Sequence, residues 1–210
     1  MSHNLSKEQL EQIFMDISKE LKKRMRNKLF SYELIIVGGA SILLNYSFRQ
    51  STIDIDCLDV NDALMNEIIN EIGDKYHLQN GWINTDFMKT NSYTPKLIQF
   101  STYYKSYSNG SLIVRTIKDE YLIAMKMVAA RKYKHDYSDI FGILKENKNL
   151  SYEKVINAIK DLYGESTLVS NEMSVFVKSL FEENNISYDD LKRGEKETEE
   201  ILLVKYSRKN

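Results

Sequence analysis

The chain has 210 residues, of which 42% are hydrophobic and 28% charged, and 29 basic against 30 acidic side chains leave a net charge of −1. That length suits one domain, or one domain with a helical appendage, and the near-neutral balance excludes a globally cationic nucleic-acid binder. A single cysteine, Cys57, excludes an internal disulfide and a Cys-x-x-Cys zinc site, and three scattered histidines argue against a histidine metal centre.

Eight glycines and one proline punctuate the chain sparsely, so periodicity carries the assignment of elements. The spacing predicts a helix over residues 6–29. Ser6 and Gln9 form a capping box there, and Leu10, Ile13, Phe14, Ile17 and Leu21 make an apolar stripe. Its far end, Lys19 to Lys28, holds six basic residues among ten, which suit a solvated helix end or a track for an RNA backbone. Glu33–Val37 predicts a buried strand running into a Gly38-Gly39 turn, with a helix over Ala40–Phe48. Thr52–Leu58 alternates apolar and acidic positions as a second strand, and a helix capped by Asn61 or Asp62 runs to Lys75. Trp82–Met88, Lys96–Tyr104 and Leu112–Thr116 predict further strands, the last entered through a turn at Asn109-Gly110. From Lys118 the pattern is helical, with segments at 118–131, 136–147, 151–163 (capped by Ser151), 171–184 and 188–204.

The expected fold class is therefore α+β, a mixed sheet with flanking helices followed by a helical C-terminal part. The expected division is 1–116 and 117–210. No apolar run is long enough to span a membrane, and Met1–Leu10 is polar rather than signal-like, so a cytoplasmic protein is expected.

Chemistry concentrates in Ile35-Ile36-Val37-Gly38-Gly39-Ala40-Ser41 and in Ser51-Thr52-Ile53-Asp54-Ile55-Asp56. Two glycines between strand and helix let the backbone turn sharply and approach a ligand. The new helix then offers unpaired N–H groups and a positive dipole end, which suit phosphate, and Ser41 adds a hydroxyl. Asp54 and Asp56, two apart on a strand, point the same way, roughly 6.5–7 Å apart along the chain. A divalent cation held between two such acids, Mg²⁺ or Mn²⁺ with substrate phosphate, makes sense of the pairing. The competing account is a solvated face with Ile53 and Ile55 turned inward. Tyr121–Ala130 is apolar apart from Lys126, whose ammonium must meet an anion or snorkel to the surface. Tyr103, Tyr104 and Tyr107 lie near Lys105 and could stack bases. Cys57, Trp82, Met125 and Met127 are expected in the core, and Arg193–Glu200 as an exposed charged helix.

The Gly-Gly turn followed by an Asp-x-Asp strand resembles the polymerase-beta-like nucleotidyltransferase superfamily, with fourteen residues, Ala40 to Ile53, between the two parts. Arg49, Ser51 and Thr52 look like the Arg-x-Thr lead-in of its bacterial AbiEii-like, abortive-infection and toxin-type members. Lys126-Met-Val-Ala-Ala-Arg131 with Asp136 and Asp139 is similar to the Lys-x-x-Ala…Arg…Asp-x-x-Asp helix pair of that group. The resemblance spans roughly residues 30–145. It implies a Mg²⁺-dependent transfer of a nucleoside monophosphate from an NTP to a hydroxyl of tRNA, a protein or a small molecule. It further implies an antitoxin partner, with no role for a membrane. Asp54 and Asp56 would hold the metal, and Gly38, Gly39, Ser41 and Arg131 the phosphates. Lys126 and Asp139 would act in catalysis, all lining one cleft. A third carboxylate, which many members carry on a later strand, is replaced by Gln99 on the expected Lys96–Ser101 strand. That departure leaves a second reading open, a catalytically degenerate nucleotide sensor or protein-interaction module.

Overall fold

The computed structural model describes residues 4–25, 31–58, 60, 62–182 and 187–207. These divide into two units, Met1–Lys118 and Asp119–Asn210. The fold class is α+β, a five-stranded mixed sheet with flanking helices and then a run of helices.

In the first unit, α1 (Lys7–Met25) begins at the expected capping box. The Ser6 N–H donates to Gln9 Oε1 at 2.8 Å and the Gln9 N–H to Ser6 Oγ at 3.3 Å. Its apolar stripe is fully buried. Three residues of the basic end face acids: Arg24 faces Glu20, Glu67 and Glu71, Lys23 faces Glu20, and Lys19 faces Asp16. Arg26 and Lys28 lie outside the described residues, as does Asn61.

The remaining elements of this unit are β1 (Tyr32–Ile36), α2 (Gly38–Asn45), β2 (Ile55–Leu58), α3 (Ala63–Lys75), β3 (Ile83–Asn84), β4 (Ser101–Tyr107) and β5 (Leu112–Ile117). Asp62 caps α3 by accepting the Met65 N–H at 3.0 Å. The strand order is β3-β2-β1-β5-β4. The β1–β5 and β2–β3 pairs are parallel, and β1–β2 and β4–β5 antiparallel. Leu34, Ile36, Ile55, Cys57, Leu112 and Val114 share a core with Ile13, Phe14 and Ile17 of α1 and Ile68 and Ile72 of α3. Trp82 joins it, its indole N–H donating to Ile69 O at 3.2 Å.

Three expected strands are shorter than their patterns. Thr52 pairs with Leu5 alone as an isolated bridge, so β2 begins only at Ile55. Of Trp82–Met88 only Ile83–Asn84 pairs, because the Asn84 side chain takes the Asp86 N–H at 2.8 Å and turns the chain into a 3₁₀ segment, Asp86–Lys89. Lys96–Ser101 is not a strand: Pro95 and the Thr94 cap start a 3₁₀ segment, Pro95–Phe100, and pairing begins at Ser101. Gln99 therefore sits outside the sheet.

The second unit holds α4 (Asp119–Ala129), α5 (Asp136–Glu146), α6 (Tyr152–Tyr163), α7 (Asn171–Phe181) and α8 (Tyr188–Ser207). Helix α4 packs on α5 and α6, and α5 carries α7 and α8. Ser151 caps α6 by accepting the Lys154 N–H at 3.3 Å. Met125 and Met127 are buried, as expected. Among the described residues no helix is long and apolar enough to cross a membrane.

Candidate active site

The junction of β1 and α2 is where backbone and charge converge in the first unit. Gly38 has φ +61°, a conformation that side chains other than glycine's rarely adopt, and α2 starts directly from it. The residue before it, Val37, offers no side-chain cap, so the first N–H groups of α2 receive nothing from the capping position. The Val37 N–H donates to Asp56 O at 2.9 Å and so clamps β2 against the turn. Asp56 Oδ2 accordingly lies 3.5 Å from where a Cβ on Gly38 would stand. On the next residue a Cβ would fall 2.5 Å from Arg49 Nη2, so Gly39 leaves room for a guanidinium laid across the helix start. An acid and a guanidinium thus flank the two glycines. The helix dipole and the guanidinium both favour an anion there.

Asp54 immediately precedes β2, its carbonyl accepting the Thr52 hydroxyl at 3.0 Å, and both Asp54 and Asp56 are half-buried. Ile53 does not turn inward, being 48% exposed, whereas Ile55 is fully buried. Ser41 is fully buried, and its Oγ accepts the Ile117 N–H at 3.4 Å, which ties α2 to the end of β5.

Strands β3, β4 and β5 carry no acidic residue. The residue beside Asp56 on β3 is Asn84, whose amide is spent on local turns through Gly81 O and the Asp86 N–H. Among the described residues no three His, Cys, Asp or Glu side chains gather as a metal cage. Asp56, half-buried beside an anion-favouring helix start with Asp54 two residues before it, nevertheless fits Mg²⁺, which is commonly held by one or two carboxylates, substrate phosphates and water.

Lys126, Arg131, Asp136 and Asp139 come together in the second unit. Lys126 is 8% exposed and does not snorkel: its Nζ lies 2.8 Å from Asp139 Oδ2 and 3.1 Å from Asp136 Oδ1. Arg131 pairs with Asp136, its Nε, Nη2 and backbone N–H all reaching that carboxylate at 2.9–3.1 Å. The turn that aims this N–H passes through Ala130, at φ +45°. Burial would raise the Asp136 pKa, but the Lys126 and Arg131 charges and the Arg131 hydrogen bonds outweigh it, lowering it from 3.8 to about 2. The formal charges of the four groups cancel.

One residue of this region gave no sequence signal. Within the expected exposed stretch Arg193–Glu200, Glu195 is 5% exposed. Its carboxylate accepts the Tyr137 and Ser138 N–H groups at 3.0 Å each and the Ser138 hydroxyl at 2.6 Å, capping α5 from α8. A capping acid more than fifty residues away leaves no local pattern.

No curated protein and no solved structure matches this chain. Residues 11–196 match the model of a family described as nucleotidyltransferases of unknown function, DUF6036, and this span takes in the glycine turn, the acid pair and the ion network. The chain belongs to that nucleotidyltransferase family.

Proposed function

We propose that this chain transfers a nucleoside monophosphate from an NTP to an acceptor hydroxyl at the β1–α2 junction. The observation that carries the reading is the convergence of Asp56 and Arg49 on the Gly38-Gly39 turn at the uncapped start of α2. In this scheme the α2 N–H groups and the Arg49 guanidinium hold the β- and γ-phosphates. Asp54 and Asp56 would hold Mg²⁺ or Mn²⁺, which when bound polarises the α-phosphoryl group and stabilises the leaving pyrophosphate. The acceptor oxygen bonds to the α-phosphorus, the bond to the β-phosphate oxygen breaks, pyrophosphate departs and the hydroxyl proton passes to solvent. Ser41, from the core, fixes the pitch of α2. Lys126, Arg131 and Asp139 enter by resemblance alone, and the Lys126–Asp139 and Arg131–Asp136 pairs support a positioning role within the helical unit.

The likeness to AbiEii-like toxins supports a tRNA or protein acceptor, an antitoxin partner and a cytoplasmic site of action. The experiment is label transfer from each of the four NTPs, radiolabelled at the α-phosphate, into cellular RNA and protein with Mg²⁺ present. Wild type is run beside Asp56→Ala. Label that appears with a given nucleotide and disappears in the variant supports the reading, and its location names the acceptor. Asn84, standing as an amide beside Asp56, favours a second reading as a nucleotide sensor. Metal-dependent NTP binding without any label transfer would select that reading.

A further inference from the structure

The register of the sheet places a second set of side chains on the face that carries Asp56. Ile35 is paired with both Leu58 and Arg115, and Arg115 with Tyr103, so Leu58, Ile35, Arg115 and Tyr103 form one row across β2, β1, β5 and β4. Directly paired residues project to one face, and residues two apart along a strand share it. Asp56, two positions from Leu58, therefore stands on the face of Arg115 and Tyr103.

A bulge in β4 arranges the aromatic side chains. The pairing steps from Tyr103 opposite Arg115 to Lys105 opposite Val114, which leaves Tyr104 as the extra residue. Beyond it the strand's faces are exchanged, so Tyr107 enters the core, 2% exposed, against Phe14. Tyr104 donates to Glu11 Oε1 and Lys105 pairs with Glu11 on α1. Tyr103 alone of the three tyrosines stays largely outside, 60% exposed. Beside it, Arg115 donates from Nε to Ser101 Oγ at 2.9 Å and from Nη2 to Ser101 O at 3.0 Å. Those bonds fix one edge of a half-buried guanidinium whose Nη1 donors they do not use.

We propose that Arg115 and Tyr103 form a nucleotide subsite, Arg115 taking a phosphate and Tyr103 the face of a base. Adjacent strands lie about 4.8 Å apart and alternate residues about 7 Å, which puts Arg115 on the order of 12 Å from Asp56 between Cα atoms. One or two nucleotides span such a gap. An aromatic platform beside a fixed cation is the arrangement that binds single-stranded nucleic acid or a nucleotide base without reading its sequence. Glu33 stands on the same face further along β1, at the end away from Asp56, and leaves the Arg115–Asp56 path clear of other acids on β1 and β5. What the subsite serves rests on the transferase reading: the chemistry suits the acceptor strand or the base of the donor NTP, and the test has an arm for each.

Binding is measured by fluorescence anisotropy with a 5′-fluorescein single-stranded RNA hexamer in one arm and a ribose-labelled NTP in the other. Tyr103→Ala is expected to weaken one probe roughly tenfold to a hundredfold, and Tyr103→Phe to restore it. Arg115→Gln is expected to reduce the salt slope of RNA binding by about 0.7, one phosphate's share. Loss in the RNA arm assigns the subsite to the acceptor, and loss in the NTP arm to the donor. Because Tyr103 is exposed, its variants test the idea even if Arg115→Gln loosens β4. Tyr103→Ala binding both probes like wild type, or wild type binding neither, overturns the subsite. Label transfer by a chain whose Tyr103→Ala variant binds normally would spare the transferase reading. Binding loss in a chain that transfers no label would do the reverse.

Discussion

The four charges at the start of α5 permit a quantitative test of whether they hold the helical unit together. Lys126→Met removes one of the two positive charges and leaves these groups one buried negative charge in excess. Asp139→Asn leaves one positive charge in excess. Removing a single partner of a buried pair costs about 3–5 kcal/mol. In a chain of this size that lowers Tm by roughly 6–20 °C. The double variant restores neutrality and keeps the Asp136–Arg131 pair, so its cost should fall short of the sum by about 2–3 kcal/mol. Urea denaturation at pH 7 gives the three values from shifts in midpoint at constant slope. A second readout is acid stability. The Asp136 pKa is depressed from 3.8 to about 2 despite burial, because Lys126 and Arg131 face it, so the unfolded chain takes up its proton first as pH falls. Its contribution, about 2 kcal/mol, is complete above pH 4 and is lost as pH falls toward 2. Asp136→Asn should flatten that limb of the stability curve. Single variants within about 1 kcal/mol of wild type, together with an additive double variant, would refute the ion-network account.

Three further outcomes follow from close contacts. Gly39→Ala puts a methyl group 2.5 Å from Arg49 Nη2, and a flexible side chain can yield; stability should change by under about 1 kcal/mol while NTP affinity, followed by titration, drops if Arg49 holds phosphate. Gly73→Ala meets the buried Trp82 ring at 2.6 Å and should destabilise by about 1–3 kcal/mol with a shift in tryptophan emission; unchanged emission and midpoint would contradict the packing. Glu195→Ala orphans two N–H groups of α5 and removes the one buried side chain among those described on α8. Hydrogen exchange at Tyr137, Ser138 and along α8 should then accelerate by more than tenfold, from a loss of roughly 2 kcal/mol. Unchanged protection would mean that other contacts seat α8.

What the sequence made legible is what local physics decides. The Ser6–Gln9 capping box, the Asp62 and Ser151 caps and the α1 stripe each depend on residues three or four positions apart, and each formed. The glycine turn was legible for the same reason, since positive φ at Gly38 is a property of that residue. Strand limits were not, because an alternating pattern does not show where a cap or a side-chain hydrogen bond ends the pairing. A β-propensity run at Lys96–Phe100 lost to a proline and a threonine cap, and Asn84 ended β3 through its own side chain. The site divides along the same line. Asp54 and Asp56 are candidates by their spacing alone, whereas the contact of Arg49 with Gly39 is set by the fold.

Lys126 is the instructive case. Its isolation in an apolar helix required a counter-ion, yet periodicity could not say whether that anion was a substrate or the acids at the head of the next helix. The structure supplies two carboxylates from α5, and a substrate phosphate would have to compete with both. A lysine already neutralised by two buried acids is a weak lure for a triphosphate. The Gly39–Arg49 contact at the uncapped start of α2 is the stronger one, and it is there that loss of nucleotide binding should first be sought.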